Sequence, residues 1–181
     1  MNRNDDFEKI KITKASTNKA CCNVYYDSFG IEKVRFQNAS YTDKNSIDCY
    51  LDFEDVAIIA TDVASGRFFK DLESGPKTIT MGGSKSSKTY DGKPESRTMS
   101  VGKSGDKIFI NMSSGKGKIG DTGLIMPDGQ PDKKISVGMP IEKFRSMFIY
   151  TNNWVNGYLA HMVTRMVREA EDNRKKATSK E

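Results

Sequence analysis

The chain has 181 residues, of which 36% are apolar and 29% charged, with a net charge of +5. That is enough for one sizeable domain or two small fused units, with a mild bias towards a polyanionic partner or an acidic membrane surface. No run of about 18 apolar residues occurs, so no membrane-spanning helix is expected. Met1-Asn2-Arg3-Asn4-Asp5-Asp6 leads into no apolar stretch, so no secretory signal is expected either.

Residues 8–16 alternate, Ile10 and Ile12 against Lys9, Lys11 and Thr13, which predicts a strand. After a turn at Thr17-Asn18-Lys19, residues 20–27 form a second strand. It places Cys22, Val24 and Tyr26 on one face and Cys21, Asn23 and Tyr25 on the other. Residues 31–39 are a third strand, with Val34 and Phe36 opposed to Lys33, Arg35 and Gln37, and residues 47–51 are a short fourth. The period then changes: Asp52 is placed to cap a helix bearing Val56, Ile59, Ala60 and Val63. Ser65-Gly66 loosens this helix, Phe68, Phe69 and Leu72 carry it on, and Ser74-Gly75-Pro76 ends it.

The second half follows the same plan. Residues 78–81 begin a strand that runs into Gly82-Gly83, and residues 84–94 are a polar loop carrying Lys85, Lys88, Tyr90 and Lys93. Residues 97–101 are a strand. The next, residues 107–112, sends Ile108 and Ile110 one way and Lys107, Phe109 and Asn111 the other. A cation, a ring and an amide on one outward face suit phosphates and unstacked bases. Residues 115–132 read as a long Gly/Pro-rich loop and residues 134–139 as the last strand. Pro140 then opens a helix in which Phe144, Phe148 and Trp154 are expected in the core. Residues 166–181 are expected to be a disordered charged tail.

Ile47, Leu51, Phe53, Glu54, Val56 and Ile59 match Ile135, Met139, Ile141, Glu142, Phe144 and Met147 at a constant offset of about 88 residues. An offset kept through a change of period indicates an internal duplication. The expectation is an α+β fold in one domain, residues 1–165, made of two four-strand-plus-helix repeats, 8–75 and 77–165.

A unit of this kind occurring twice, with Lys116-Gly117-Lys118 after a strand, resembles the Whirly family of single-stranded-DNA-binding proteins. Ile119-Gly120-Asp121 departs from that family's apolar continuation. The second half is also similar to the positive cofactor four family of transcriptional coactivators, in which one strand–helix unit dimerises to bind single strands. The resemblance implies two antiparallel sheets packed crosswise and supported by the helices. It further implies a homo-oligomer, dimer or tetramer, that binds single-stranded DNA with little sequence preference. In plant Whirly tetramers the lysine motif also serves assembly, so phosphate contact and assembly both stand open for Lys116 and Lys118.

The residues themselves point the same way. Tyr25, Lys33, Arg35, Lys107, Phe109 and Asn111 on strands, with Lys85, Lys88, Tyr90, Arg97, Lys116 and Lys118 nearby, supply cations for a backbone and rings for bases. RNA as the ligand, or a protein–protein adaptor without nucleic-acid affinity, are the alternatives. No catalytic constellation is present. Gly115-Lys116-Gly117-Lys118-Ile119-Gly120 fits G-x-G-x-x-G but no helix follows to hold a pyrophosphate. Gly102-Lys103-Ser104 lacks the leading glycine of a P-loop, and His161 has no acid assigned to orient it. Cys21, Cys22 and Cys49 fit no metal spacing. The expectation is therefore a non-enzymatic, cytoplasmic protein without cofactor or metal and without a membrane partner. Its role would lie in replication, recombination or transcription, with a phage, a mobile element or a cell all open as the host.

Overall fold

The computed structural model describes residues 11–178, so the first three residues of the expected opening strand lie outside it. The first four strands are β1 (Lys11–Ser16), β2 (Ala20–Tyr25), β3 (Lys33–Ser40) and β4 (Ser46–Asp52), hydrogen-bonded as an antiparallel meander in chain order. Helix α1 (Phe53–Ser65) follows at once, then the short α2 (Arg67–Asp71). Gly66 separates the two helices by adopting a left-handed conformation, φ +82°, which a residue without Cβ takes at little cost. The second sheet comprises β5 (Lys77–Ser84), β6 (Glu95–Ser104), β7 (Lys107–Ile119), β8 (Ile125–Pro127) and β9 (Lys133–Pro140). Here β5, β6, β7 and β9 form a second antiparallel meander, while β8 pairs only with the far end of β7. Helix α3 (Ile141–Thr178) is the last of the described elements.

The two sheets face each other through their apolar sides. Val24, Val34, Phe36 and Leu51 of the first sheet and Met99, Val101, Ile108, Ile110 and Val137 of the second are fully buried in one core. Strand β4 crosses β5, β6 and β7, and β9 crosses β1, β2 and β3. The fourth strand of each half thus lies over the first three of the other, an orthogonal packing. The sequence offset holds in space: Ile47 and Ile135, Leu51 and Met139, Val56 and Phe144 are buried in matching places, and α1 and α3 begin at Phe53 and Ile141. Helices α1 and α3 pack on one another, and Phe36, Phe68, Phe144 and Phe148 form a chain of ring contacts between sheet and helices, with centroids 5.0–5.5 Å apart.

One polar group ties the sheets together. Asn38, wholly buried on β3 where apolar residues would be expected, donates from Nδ2 to the carbonyls of Ile110 (2.9 Å) and Ile135 (3.0 Å). Among the described residues its Oδ1 has no hydrogen-bond partner.

Four sequence expectations are corrected. The stretch 115–132 is not one loop, because β7 continues to Ile119 and β8 pairs with it. Its glycines are close-approach positions: a Cβ on Gly115 would lie 2.9 Å from the Pro131 Cα, and one on Gly117 2.9 Å from the Ser96 amide nitrogen. Asp52 occupies the position before α1 but makes no capping bond, and its carboxylate binds Lys33 Nζ at 2.5 Å. Trp154 is 43% exposed rather than core, since it lies one residue off the buried seam of Phe148, Thr151 and Val155 and only edges Tyr26. Residues 166–178 belong to α3 rather than to a disordered tail. Among the described residues, no helix is long and apolar enough to cross a membrane.

Candidate nucleic-acid interface

Because the sheets meet through their inner faces, each leaves an outer face, and these point to opposite sides of the molecule. The expected binding residues divide between them and do not form one surface.

The outer face of the first sheet carries Tyr25, Lys33 and Arg35, and their charges are internally spent. In register, Tyr25, Arg35 and Tyr50 form one row and Asn23, Gln37 and Asp48 the next. The Arg35 guanidinium grips Asp27 with two bonds, Nε–Oδ1 3.1 Å and Nη2–Oδ2 2.5 Å, and reaches Asp48 at 3.3 Å. Gln37 donates to the same Asp48 oxygen and accepts from the Tyr25 hydroxyl. The Arg35 side chain is 6% exposed. Burial works against its charge, but the Asp27 bond more than compensates and the pKa is raised. Tyr25 was expected to offer a ring to bases; it is only 6% exposed, with the guanidinium lying 4.1 Å from its centroid. Burial raises its phenol pKa as well. This face is a closed network, and neither Tyr25 nor Arg35 is available to a ligand.

The outer face of the second sheet is different. Its outward strand positions alternate with the buried Met99, Val101, Ile108, Ile110, Met112, Ile135, Val137 and Met139. Across β6, β7 and β9 the outward rows are Ser104–Lys107–Pro140, Gly102–Phe109–Gly138, Ser100–Asn111–Ser136 and Thr98–Ser113–Lys134. None of these positions is a carboxylate, and β5 adds Thr78 and Met81. Phe109 is half-buried and flanked on both neighbouring strands by glycine. The flanking is tight: a Cβ on Gly138 would lie 2.8 Å from Phe109 Cε1. The ring therefore lies over the β9 backbone, where only glycine leaves room. Asn111 accepts from the Ser136 hydroxyl at 2.7 Å, which fixes its amide with Nδ2 turned towards Gly102. Beside it is a shallow concavity of about 390 Å³ lined by Pro76, Ser100, Asn111, Ser113, Lys134 and Ser136. Lys107 and Lys134 stand at opposite ends of these rows, six residues apart in register, or about 20 Å at about 3.3 Å per residue.

The remaining expected residues sit on an arm formed where β5, β6 and β7 outrun the core. Lys85 and Lys88 are exposed on the β5–β6 connection, and Lys116 and Lys118 are exposed on the β7 extension. Tyr90 anchors the arm by donating to Asp132 at 2.5 Å, and that bond pushes its phenol up to about 12. Arg97 points to the inner side and binds Glu95. With Lys33 and Tyr50 it lines a groove of about 470 Å³ between the edges of β4 and β5. Each cation there already has an acid partner, Asp52 for Lys33 and Glu95 for Arg97.

Sequence reading placed Lys107, Phe109 and Asn111 together, and they do share a face. It missed Lys134 and Ser136, although their alternation with Ile135 and Val137 was visible, and it could not see that Gly102 and Gly138 bracket Phe109, since only strand register brings them together. Among the described residues, no cluster of three or more His, Cys, Asp or Glu side chains is placed to hold a metal ion.

No family model, no curated protein and no solved structure matches this chain.

Proposed function

We propose that this protein binds single-stranded DNA, with little sequence preference, along the outer face of its second sheet, and that its fold is of the Whirly type. One observation carries the reading. A ring flanked by two glycines shares a set of outward strand positions, none of them a carboxylate among the described residues, with an oriented amide, hydroxyls and terminal lysines. Bases stack on such a ring without regard to identity, because every base has a π-face. Hydroxyls, the Asn111 amide and lysines serve a phosphate–sugar backbone, and the lack of carboxylates removes the repulsion a polyanion would meet on the first sheet. The fold reading is supported by two four-strand meanders, each followed by a helix, packed crosswise with matching burial.

The experiment is a titration of fluorescent oligothymidine and of a matching duplex at several salt concentrations. The single strand should bind more tightly, with log affinity falling against log salt by about 0.7 per neutralised phosphate. Equal or absent binding of both, or a flat salt response, would overturn the proposal. Competition between RNA and DNA of one sequence separates the two polymers.

A further inference from the structure

Helix α3 spans 38 residues, about 57 Å at about 1.5 Å per residue, and among the described residues its buried side chains lie in its first half. Phe144, Met147, Phe148, Thr151 and Val155 are buried, and Tyr158 packs on Phe29 and Phe53 with ring centroids 5.4 and 6.1 Å away. Beyond Tyr158 the apolar side chains come out into solvent: Leu159, Val163, Met166 and Val167 are 41–62% exposed, and Ala170 is exposed. With half-buried Met162, their spacing of three and four places them on one side of the helix. An apolar stripe on a projecting helix marks an interaction surface.

We propose that the stripe is the seam of a parallel two-stranded coiled coil between two copies of this chain. Taking Leu159 and Met166 as d positions and Val163 and Ala170 as a positions puts Met162 and Glu169 at g, and Val167 and Arg174 at e. In a parallel coil, each g residue faces the e residue of the other copy five places further on. Met162 then meets Val167, and Glu169 meets Arg174, so apolar meets apolar and acid meets base in both symmetry-related pairs. An antiparallel pair aligned on the same layers sets g against g, and Met162 would face Glu169. The match between the two flanks in the parallel register selects the second copy as the occupant. Glu169 also binds Arg165 in its own helix at 3.2 Å, with both side chains about 60% exposed, a contact weak enough to be shared or exchanged. This inference rests on the helix alone and is independent of the nucleic-acid reading.

Sedimentation equilibrium of the whole chain, from low-micromolar to submillimolar concentration, tests it. The expected result is a reversible monomer–dimer equilibrium that the double variant Val163→Lys, Met166→Lys abolishes, with far-UV circular dichroism showing that the body still folds. Glu169→Arg should weaken the dimer about five- to tenfold, and adding Arg174→Glu should restore it. Asn173→Cys falls at a d position, where only a parallel coil brings the two copies of a residue together, so mild oxidation should link two chains; Cys21, Cys22 and Cys49 are all buried. A wild type that stays monomeric throughout, or a dimer that survives the Val163→Lys, Met166→Lys change, would overturn the proposal. A dimer that Asn173→Cys fails to link would overturn the parallel arrangement.

Discussion

Replacing Phe109 by leucine isolates what the ring contributes to binding. Leucine keeps an apolar contact over Gly138 and roughly preserves volume, so the cost in stability should stay below about 1.5 kcal/mol. What it removes is the flat surface. Stacking of one base on an aromatic ring contributes about 1–3 kcal/mol, so affinity for oligothymidine should fall about 5- to 150-fold. No phosphate contact is lost, so the slope of log affinity against log salt should not change, whereas Lys107→Ala should reduce that slope by about 0.7. Gly138→Ala attacks the same ring from beneath. Its Cβ would stand 2.8 Å from Phe109 Cε1, and the ring must retreat by about 0.6 Å to reach ordinary van der Waals distance. This change should weaken binding in the wild type and do nothing further once Phe109 is leucine, the non-additivity expected of groups acting through one contact. Fluorescence anisotropy at fixed salt gives both numbers. Binding by Phe109→Leu within about twofold of wild type would show that no base stacks there.

Other outcomes follow from groups already described. Asn38→Ala removes two inter-sheet hydrogen bonds and leaves a small cavity, and should cost about 2–4 kcal/mol in urea unfolding. Arg35→Met removes the cation from Asp27 and Asp48; because both acids are about 28–29% exposed, the loss should be about 2–3 kcal/mol rather than the full cost of a wholly buried pair. Oligonucleotide affinity should keep its salt slope in that variant, since the Arg35 charge is already compensated. Burial pushes the Cys49 thiol from 9.0 up to about 12, and Cys22 is moved in the same direction. Between those two pH values the unfolded chain has released a proton that the native state still holds, so stability falls as pH rises, by about 1.4 kcal/mol per unit for one thiol, and is unaffected below the lower value. Unfolding measured across that alkaline window should show this decline, reduced in Cys49→Ala.

The strands other than β8, and both helix starts, were legible because their apolar residues alternate or recur at helical spacing, and because an offset of about 88 residues joins Ile47 to Ile135 and Val56 to Phe144. What escaped was set by partners that periodicity does not name. The β7 extension looks like a loop because Gly115 and Gly117 carry no pattern, yet they are glycines so that Pro131 and Ser96 can approach. Tyr25 and Arg35 alternate outward as predicted, but whether an outward side chain is free depends on what stands beside it, and Asp27 and Asp48 arrive from other parts of the chain. The charge of residues 166–178 suggests a disordered tail, although Arg165 and Glu169 stand four residues apart and stabilise a helix.

The packing of each fourth strand across the opposite sheet has a consequence for how the chain could be divided. Each half hides its apolar side only under the other, so neither fragment has a complete interior of its own. Severed at the exposed connection before β5, the two pieces would be expected to find each other again when expressed together, and either one alone to aggregate. The union of the two halves leaves one outer surface without structural duty, while the other is held shut by ion pairs.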